Sequence, residues 1–191
     1  MASTVAIDDL LADVATRGIR DLVVEIRVPA TGAHAHLVRA AAVVGVRIHA
    51  APRPFDPTGV AAFADEHAIE GLHFEELAAA MVPVPTRRLL VRSLAVRPLD
   101  AGWPARVHAI DIDLLCPMAL MRGTDEVARL LRHARDQAPI TKMWGGLRAH
   151  AGERLLLRAQ LRAAVASGCE GVLLVTYDPT QLELLDEFAS A

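Results

Sequence analysis

Ala166-Ser167-Gly168-Cys169-Glu170-Gly171-Val172 reads as a helix end, a turn closed by glycine, and the start of a strand. Glycine suits the residue after a helix because that position favours positive φ, which lacks a steric cost only without a Cβ. Two other stretches repeat the form. They are Thr16-Arg17-Gly18-Ile19-Arg20-Asp21-Leu22-Val23 and Ala42-Val43-Val44-Gly45-Val46-Arg47-Ile48. Regular helix–turn–strand alternation of this kind argues for βαβ units and a parallel sheet.

Working outward, seven segments rich in β-branched residues and Leu read as short buried strands. They are 21–28, 45–51, 71–76, 88–96, 107–114, 140–146 and 171–177. Helical spacing lies between most of them. Ile7, Leu10, Leu11 and Val14 form one stripe; Leu37 to Val44 and Thr58 to His67 form others, the last with Asp56 or Thr58 as cap. Thr124 is expected to cap an amphipathic helix carrying Val127, Leu130, Leu131 and Ala134. Glu153 to Ser167 follows in the same style, and Asp178-Pro179-Thr180 starts a last helix. Between Met81 and Pro104, four prolines flank one strand with no helix pattern nearby, so strict repetition is expected to lapse there.

The 191 residues are expected to form a single domain over 1–191 with a core of Ala, Val, Leu and Ile, since 53% of the chain is hydrophobic and only 4% aromatic. No nucleotide-binding glycine pattern follows the first strand, so no cofactor is expected. The fold expected is a shortened (β/α) barrel of about seven parallel strands, TIM-barrel-like, with its first strand missing or degenerate. A flavodoxin-like open sheet is the alternative. The net charge of −3 comes from scattered charges and argues against nucleic-acid partners. No apolar run has the ~18–20 residues a membrane span requires, and acids crowd the start of the chain. A cytoplasmic protein with a small-molecule ligand is therefore expected. A barrel one strand short leaves an open edge, which implies a homodimer. Cys116 and Cys169 lie far apart in apolar stretches and read as structural thiols; no spacing suggests a metal site.

Parallel α/β folds carry function at the carboxyl ends of their strands. Charges inside otherwise apolar strands therefore mark the candidates. Glu75 and Glu76 end the third strand, and Asp111 and Asp113 share a face of Ile110-Asp111-Ile112-Asp113-Leu114. Lys142 is the only lysine against 19 arginines. These five are the catalytic candidates. Each has a plainer reading: helix caps or ion pairs for the aspartates, solvated loop for one glutamate, an internal ion pair for Lys142. Glu25, Arg27, His49, His73, Trp144 and Tyr177 are candidates for binding substrate, with an internal ion pair the plainer reading of Glu25 and Arg27.

The run Ile110 to Met118, then Met143-Trp144-Gly145-Gly146-Leu147-Arg148-Ala149-His150, then Gly168 to Asp178 resembles the last third of glycoside-hydrolase-like TIM barrels. Ile69-Glu70-Gly71-Leu72-His73-Phe74-Glu75-Glu76 is similar to a mid-barrel strand bearing an acid. The opening strand of that family is absent here, and its loops are longer. Gly71-Leu72-His73 also resembles a stretch of thiamine-phosphate-synthase-like barrels, without that family's phosphate loops or metal residues. The first resemblance implies a glycosidase-like hydrolase with Glu75 or Glu76 paired to Asp111 or Asp113. Such a pair must flank one bond, about 5–9.5 Å apart, and so must share one end of the sheet. Two alternatives stand beside it: a Schiff-base lyase or aldolase using Lys142, and a non-catalytic binding protein on a degenerate barrel.

Overall fold

The glycine turns organise the architecture as their spacing implies. In the computed structural model, which describes residues 4–27, 29, 31–100, 102–108, 110–139, 141–148, 152–175 and 186, Gly18, Gly45 and Gly168 all have positive φ, between 71° and 80°. Each closes a helix just before a strand. The described chain forms two compact units, 1–92 and 93–191.

The first unit opens with α1 (Thr4–Thr16), then β1 (Asp21–Ile26), α2 (Gly32–Val43), β2 (Arg47–Pro52), α3 (Pro57–Glu66), β3 (Gly71–Phe74) and the single turn α4 (Leu77–Ala80). The strands are parallel and run in chain order: β1 pairs with β2, and β2 with β3. That order excludes the flavodoxin-like sheet, in which the first strand lies between the second and third. Asp56 caps α3 by accepting a hydrogen bond from the Thr58 amide at 3.1 Å, with Pro57 at the first helical position.

β4 (Val91–Val96) begins in the first unit, where the Val91 amide donates to the Glu70 carbonyl, and continues into the second. There follow the short α5 (Trp103–Val107), β5 (Leu114–Pro117), α6 (Thr124–Gln137), β6 (Lys142–Arg148), α7 (Arg154–Ala166) and β7 (Gly171–Val175). β4, β5, β6 and β7 also pair in parallel and in chain order. The fold is thus α/β and TIM-barrel-like, with seven parallel strands alternating with helices. α6 buries Val127, Leu130, Leu131 and Ala134, and packs beside α7, which buries Leu157, Leu161 and Ala164.

Three local expectations are corrected. Residues 107–114 are not a strand: Val107 ends α5, the chain turns through Ile110 and Ile112, and β5 begins at Leu114. The reason is burial. A parallel strand covered on both faces takes a continuous apolar run, and Leu114-Leu115-Cys116-Pro117 supplies it, whereas Asp111 and Asp113 are exposed. Gly123, not Thr124, holds the cap position of α6. The sixth strand starts at Lys142 and runs to Arg148, so Lys142 opens it. The last expected helix, from Asp178, lies outside the described residues. No helix among the described residues is long and apolar enough to cross a membrane.

Candidate functional site at the carboxyl ends of the first three strands

Strand parity divides the first unit's sheet into two faces. Leu22, Val24, Ile26, Ile48, Ala50, Leu72 and Phe74 make one, almost wholly apolar. Asp21, Val23 and Glu25 of β1, Arg47, His49 and Ala51 of β2, and Gly71 and His73 of β3 make the other. Arg53 and Glu75 continue that parity just past β2 and β3.

At the amino end of this polar face, Asp21 accepts from Arg47 at 2.6 Å and contacts His49 Nε2 at 3.0 Å. Burial by itself would raise the Asp21 carboxyl. The hydrogen bonds from His49 and Arg47, with their charges, outweigh it and hold the group below its ordinary value. The His49 ring lies across Gly71, where a Cβ would meet Nδ1 at 2.8 Å. His49 is thus a buried histidine seated by a carboxylate on one side and a glycine on the other. His73 is buried two residues beyond Gly71, and burial, helped by the nearby His49, pushes its imidazole down to about 4.

At the carboxyl end, Arg53 reaches two carboxylates. Its guanidinium pairs with Glu75 and lies 3.9 Å from Glu25, while Arg27 lies 3.8 Å from the other oxygen of Glu25. The amide of Arg53 donates to Ile26 at 2.9 Å, which fixes the start of the loop after β2 against the end of β1. Behind this network Phe74 makes an edge contact with Phe55, and the Arg92 guanidinium stacks 5.4 Å from the Phe74 ring while donating to the Ala80 carbonyl at 2.5 Å.

The candidates therefore separate. Glu25, Arg27 and Glu75 come together, with His73 below them on the same face. Glu76 is exposed at the cap position of α4. Asp111 and Asp113 stand before the amino end of β5, and Lys142 opens β6 opposite Leu114, exposed. These three groups occupy the amino ends of their strands, the end that carries stability rather than chemistry in folds of this type. The pairing of Glu75 or Glu76 with Asp111 or Asp113 thus loses the condition that both acids stand at strand carboxyl ends. Trp144 lies against Gly171, its Nε1 only 2.6 Å from where a Cβ would sit, and acts as packing between β6 and β7. Tyr177 lies outside the described residues.

Arg53 stands with His49 at the carboxyl end of the second strand in the sequence, but it follows β2 rather than lying within it and so is not among the charges inside strands that mark the candidates. The signal was its parity with His49 and Ala51. Burial raises both thiols, Cys116 to about 12 and Cys169 to about 11, so neither is a ready nucleophile at neutral pH. A groove of about 450 Å³ opens elsewhere, between α2 and α3, floored by Gly32, Ala35, Gly59 and Ala62 and flanked by Arg39 and Phe63. None of the strand-end candidates lines it. Among the described residues, no group of three or more His, Cys, Asp or Glu is placed to hold a metal ion.

No protein-family model matches the chain, and no curated protein matches its sequence. Solved structures do. A putative alpha-L-fucosidase from Bacteroides thetaiotaomicron VPI-5482 superposes with a TM-score of 0.68 at 10% identity, covering 99% of this chain and 85% of that one. The YdjI aldolase from Escherichia coli K12 superposes with a TM-score of 0.56 at 11% identity, covering 98% and 85%. At such identities the likeness is one of fold, and it places this chain's seven-stranded α/β architecture among TIM-barrel-like proteins.

Proposed function

We propose that this protein binds a small polyhydroxylated molecule at the carboxyl ends of β1, β2 and β3, and that Glu25 and Glu75 act on it as a glycosidase-like carboxylate pair. One observation carries the reading: two carboxylates from separate strands stand at the functional end of the sheet with one guanidinium, Arg53, between them. Carboxylates close enough for one planar fork to reach both suit the roughly 5–9.5 Å window of glycoside hydrolysis. In that chemistry one carboxyl protonates the leaving oxygen while the other attacks or activates water. Arg53 pairs with Glu75 and lies 3.9 Å from Glu25, so a sugar entering between the two carboxylates must displace its guanidinium. The likeness to a putative fucosidase supports the choice of substrate class.

The test is release of nitrophenol from p-nitrophenyl α-L-fucoside and a panel of other aryl glycosides. Turnover by the intact protein should fall about 100-fold or more in Glu75→Gln and Glu25→Gln. Turnover equal in wild type and both variants, or none on any glycoside, would sink the hydrolase reading. Binding of a sugar without turnover would favour the second reading, a binding protein, which the Arg53 contacts themselves recommend because they engage a carboxylate oxygen of each acid. The lyase alternative draws no support from Lys142, whose exposed place at the start of β6 lacks the desolvation a Schiff-base lysine needs.

A further inference from the structure

The helix layer of the first unit is open at one place. α1 packs beside α2, as α6 does beside α7 in the second unit, but between α2 and α3 a groove of about 450 Å³ opens instead. That size falls within the roughly 300–1,000 Å³ range of small-molecule sites. Both helices follow parallel strands, so they run side by side in the same direction. The lining residues therefore rise in the same order along both walls: Gly32, Ala35 and Arg39 on α2, and Gly59, Ala62 and Glu66 on α3. From Gly32 to Arg39 the α2 wall is about 10 Å long.

Small residues can let two helices close together or leave room between them, and here they leave room. One end of the groove is charged from both walls. Arg39 is exposed, and its guanidinium has no partner among the described residues. Glu66 is exposed too, and among the described residues its carboxylate contacts only the ring of the adjacent His67, at 3.9 Å. Two opposite charges thus share the groove without pairing with each other. The α3 wall that carries Glu66 is held in place. The His67 ring lies 4.6 Å from the Phe63 ring, the His67 amide donates to the Phe63 carbonyl at 2.9 Å, and Arg88 donates to the His67 carbonyl at 3.2 Å.

We propose that this groove binds a free α-amino acid with an apolar side chain. Arg39 takes its carboxylate, because a planar guanidinium fork matches two oxygens, and Glu66 takes its ammonium. Its side chain lies along the small-residue floor toward Gly32 and Gly59, beside Phe63. A free amino acid carries both charges on one carbon, which suits opposite charges on facing walls at one end of a groove; a peptide terminus offers only one of them. The site lies in the helix layer, apart from the strand-end carboxylates, and does not rest on the carbohydrate reading.

Amide NMR shifts of the full chain, titrated with L-phenylalanine as the probe, test this. Amides of α2 and α3 should move while those of α6 stay still. L-Phenylalaninamide lacks the carboxylate and N-acetyl-L-phenylalanine lacks the ammonium. Each should bind about 10-fold more weakly or worse, the scale of one charged hydrogen bond. Arg39→Gln and Glu66→Gln should weaken L-phenylalanine to a similar degree, and both positions are exposed, so the fold should survive. Ala62→Leu, which fills the floor from an exposed helical position, should abolish binding. No movement at about 10 mM L-phenylalanine, enough to fill most of a millimolar site, overturns the proposal. Equal binding of N-acetyl-L-phenylalanine or of the amide overturns the amino acid as ligand. Binding untouched by Ala62→Leu puts the ligand outside the groove and overturns the site.

Discussion

His73 and Asp21 tie the stability of this protein to pH in the same direction. The His73 imidazole is held at about 4 against an ordinary 6.5, so between those values the unfolded chain binds the proton and the folded one does not. Stability is therefore undiminished above 6.5, declines as pH falls, and levels off below about 4. Asp21 is depressed, so its contribution is present above its ordinary 3.8 and fades as pH falls through its folded value. The two effects join in one window on the acid side. In urea unfolding at pH 7 and pH 4.5, His73→Gln should lose less stability across that interval than wild type, by about 2 kcal/mol. Equal losses would show that His73 is open to water. Asp21→Asn should weaken the protein at neutral pH by about 1–3 kcal/mol, since it leaves Arg47 and His49 without their carboxylate.

At the scale of the element, glycines in strands decide where neighbours can approach. A Cβ on Gly71 would collide with the Val91 carbonyl oxygen and press on His49 Nδ1, and backbone cannot step aside as a side-chain tip can. Gly71→Ala should cost about 2–3 kcal/mol in chemical denaturation, as overpacking does. A thermal midpoint equal to wild type would mean that β3 and β4 separate more easily than their hydrogen bonding implies. The cap of α3 offers a milder case: Asp56→Ala should cost about 1 kcal/mol, measured the same way. Elements also mark where reading from sequence stopped short. Glycine turns and helical stripes were legible because their signals are local. The fifth strand was not, because Ile110-Asp111-Ile112-Asp113 alternates like a half-exposed strand, and alternation cannot say whether a partner lies on either side. The strand that does pair, Leu114–Pro117, has no alternation because it is buried throughout.

Across the whole molecule, each compact unit has its own buried strands. β2 from Ile48 to Pro52 and β5 from Leu114 to Pro117 are buried along their length, whereas β7 is only partly covered and β1 is buried only at Ile26. Hydrogen exchange should find the slowest strand amides in β2 within the first unit and in β5 within the second, with β1 and β7 faster. Protection in β7 equal to that in β5 would contradict this order. The candidate site draws on the carboxyl ends of β1 to β3 and so falls entirely in the first unit.

Sequence by itself determined the alternation of helix and parallel strand, the glycines that close three helices, the aliphatic core, and the candidacy of Glu25, Arg27, His73 and Glu75 for a polar face. Those are consequences of composition, periodicity and steric rules that act over a few residues. Tertiary structure alone decided that Arg53 would lie between Glu25 and Glu75, that Asp21 would hold His49, and that Asp111, Asp113 and Lys142 would stand at the opposite ends of their strands. The physical reason is register. Which side chains meet across a sheet depends on where each strand begins and how it pairs, and those are settled by burial against distant neighbours rather than by any residue's own surroundings.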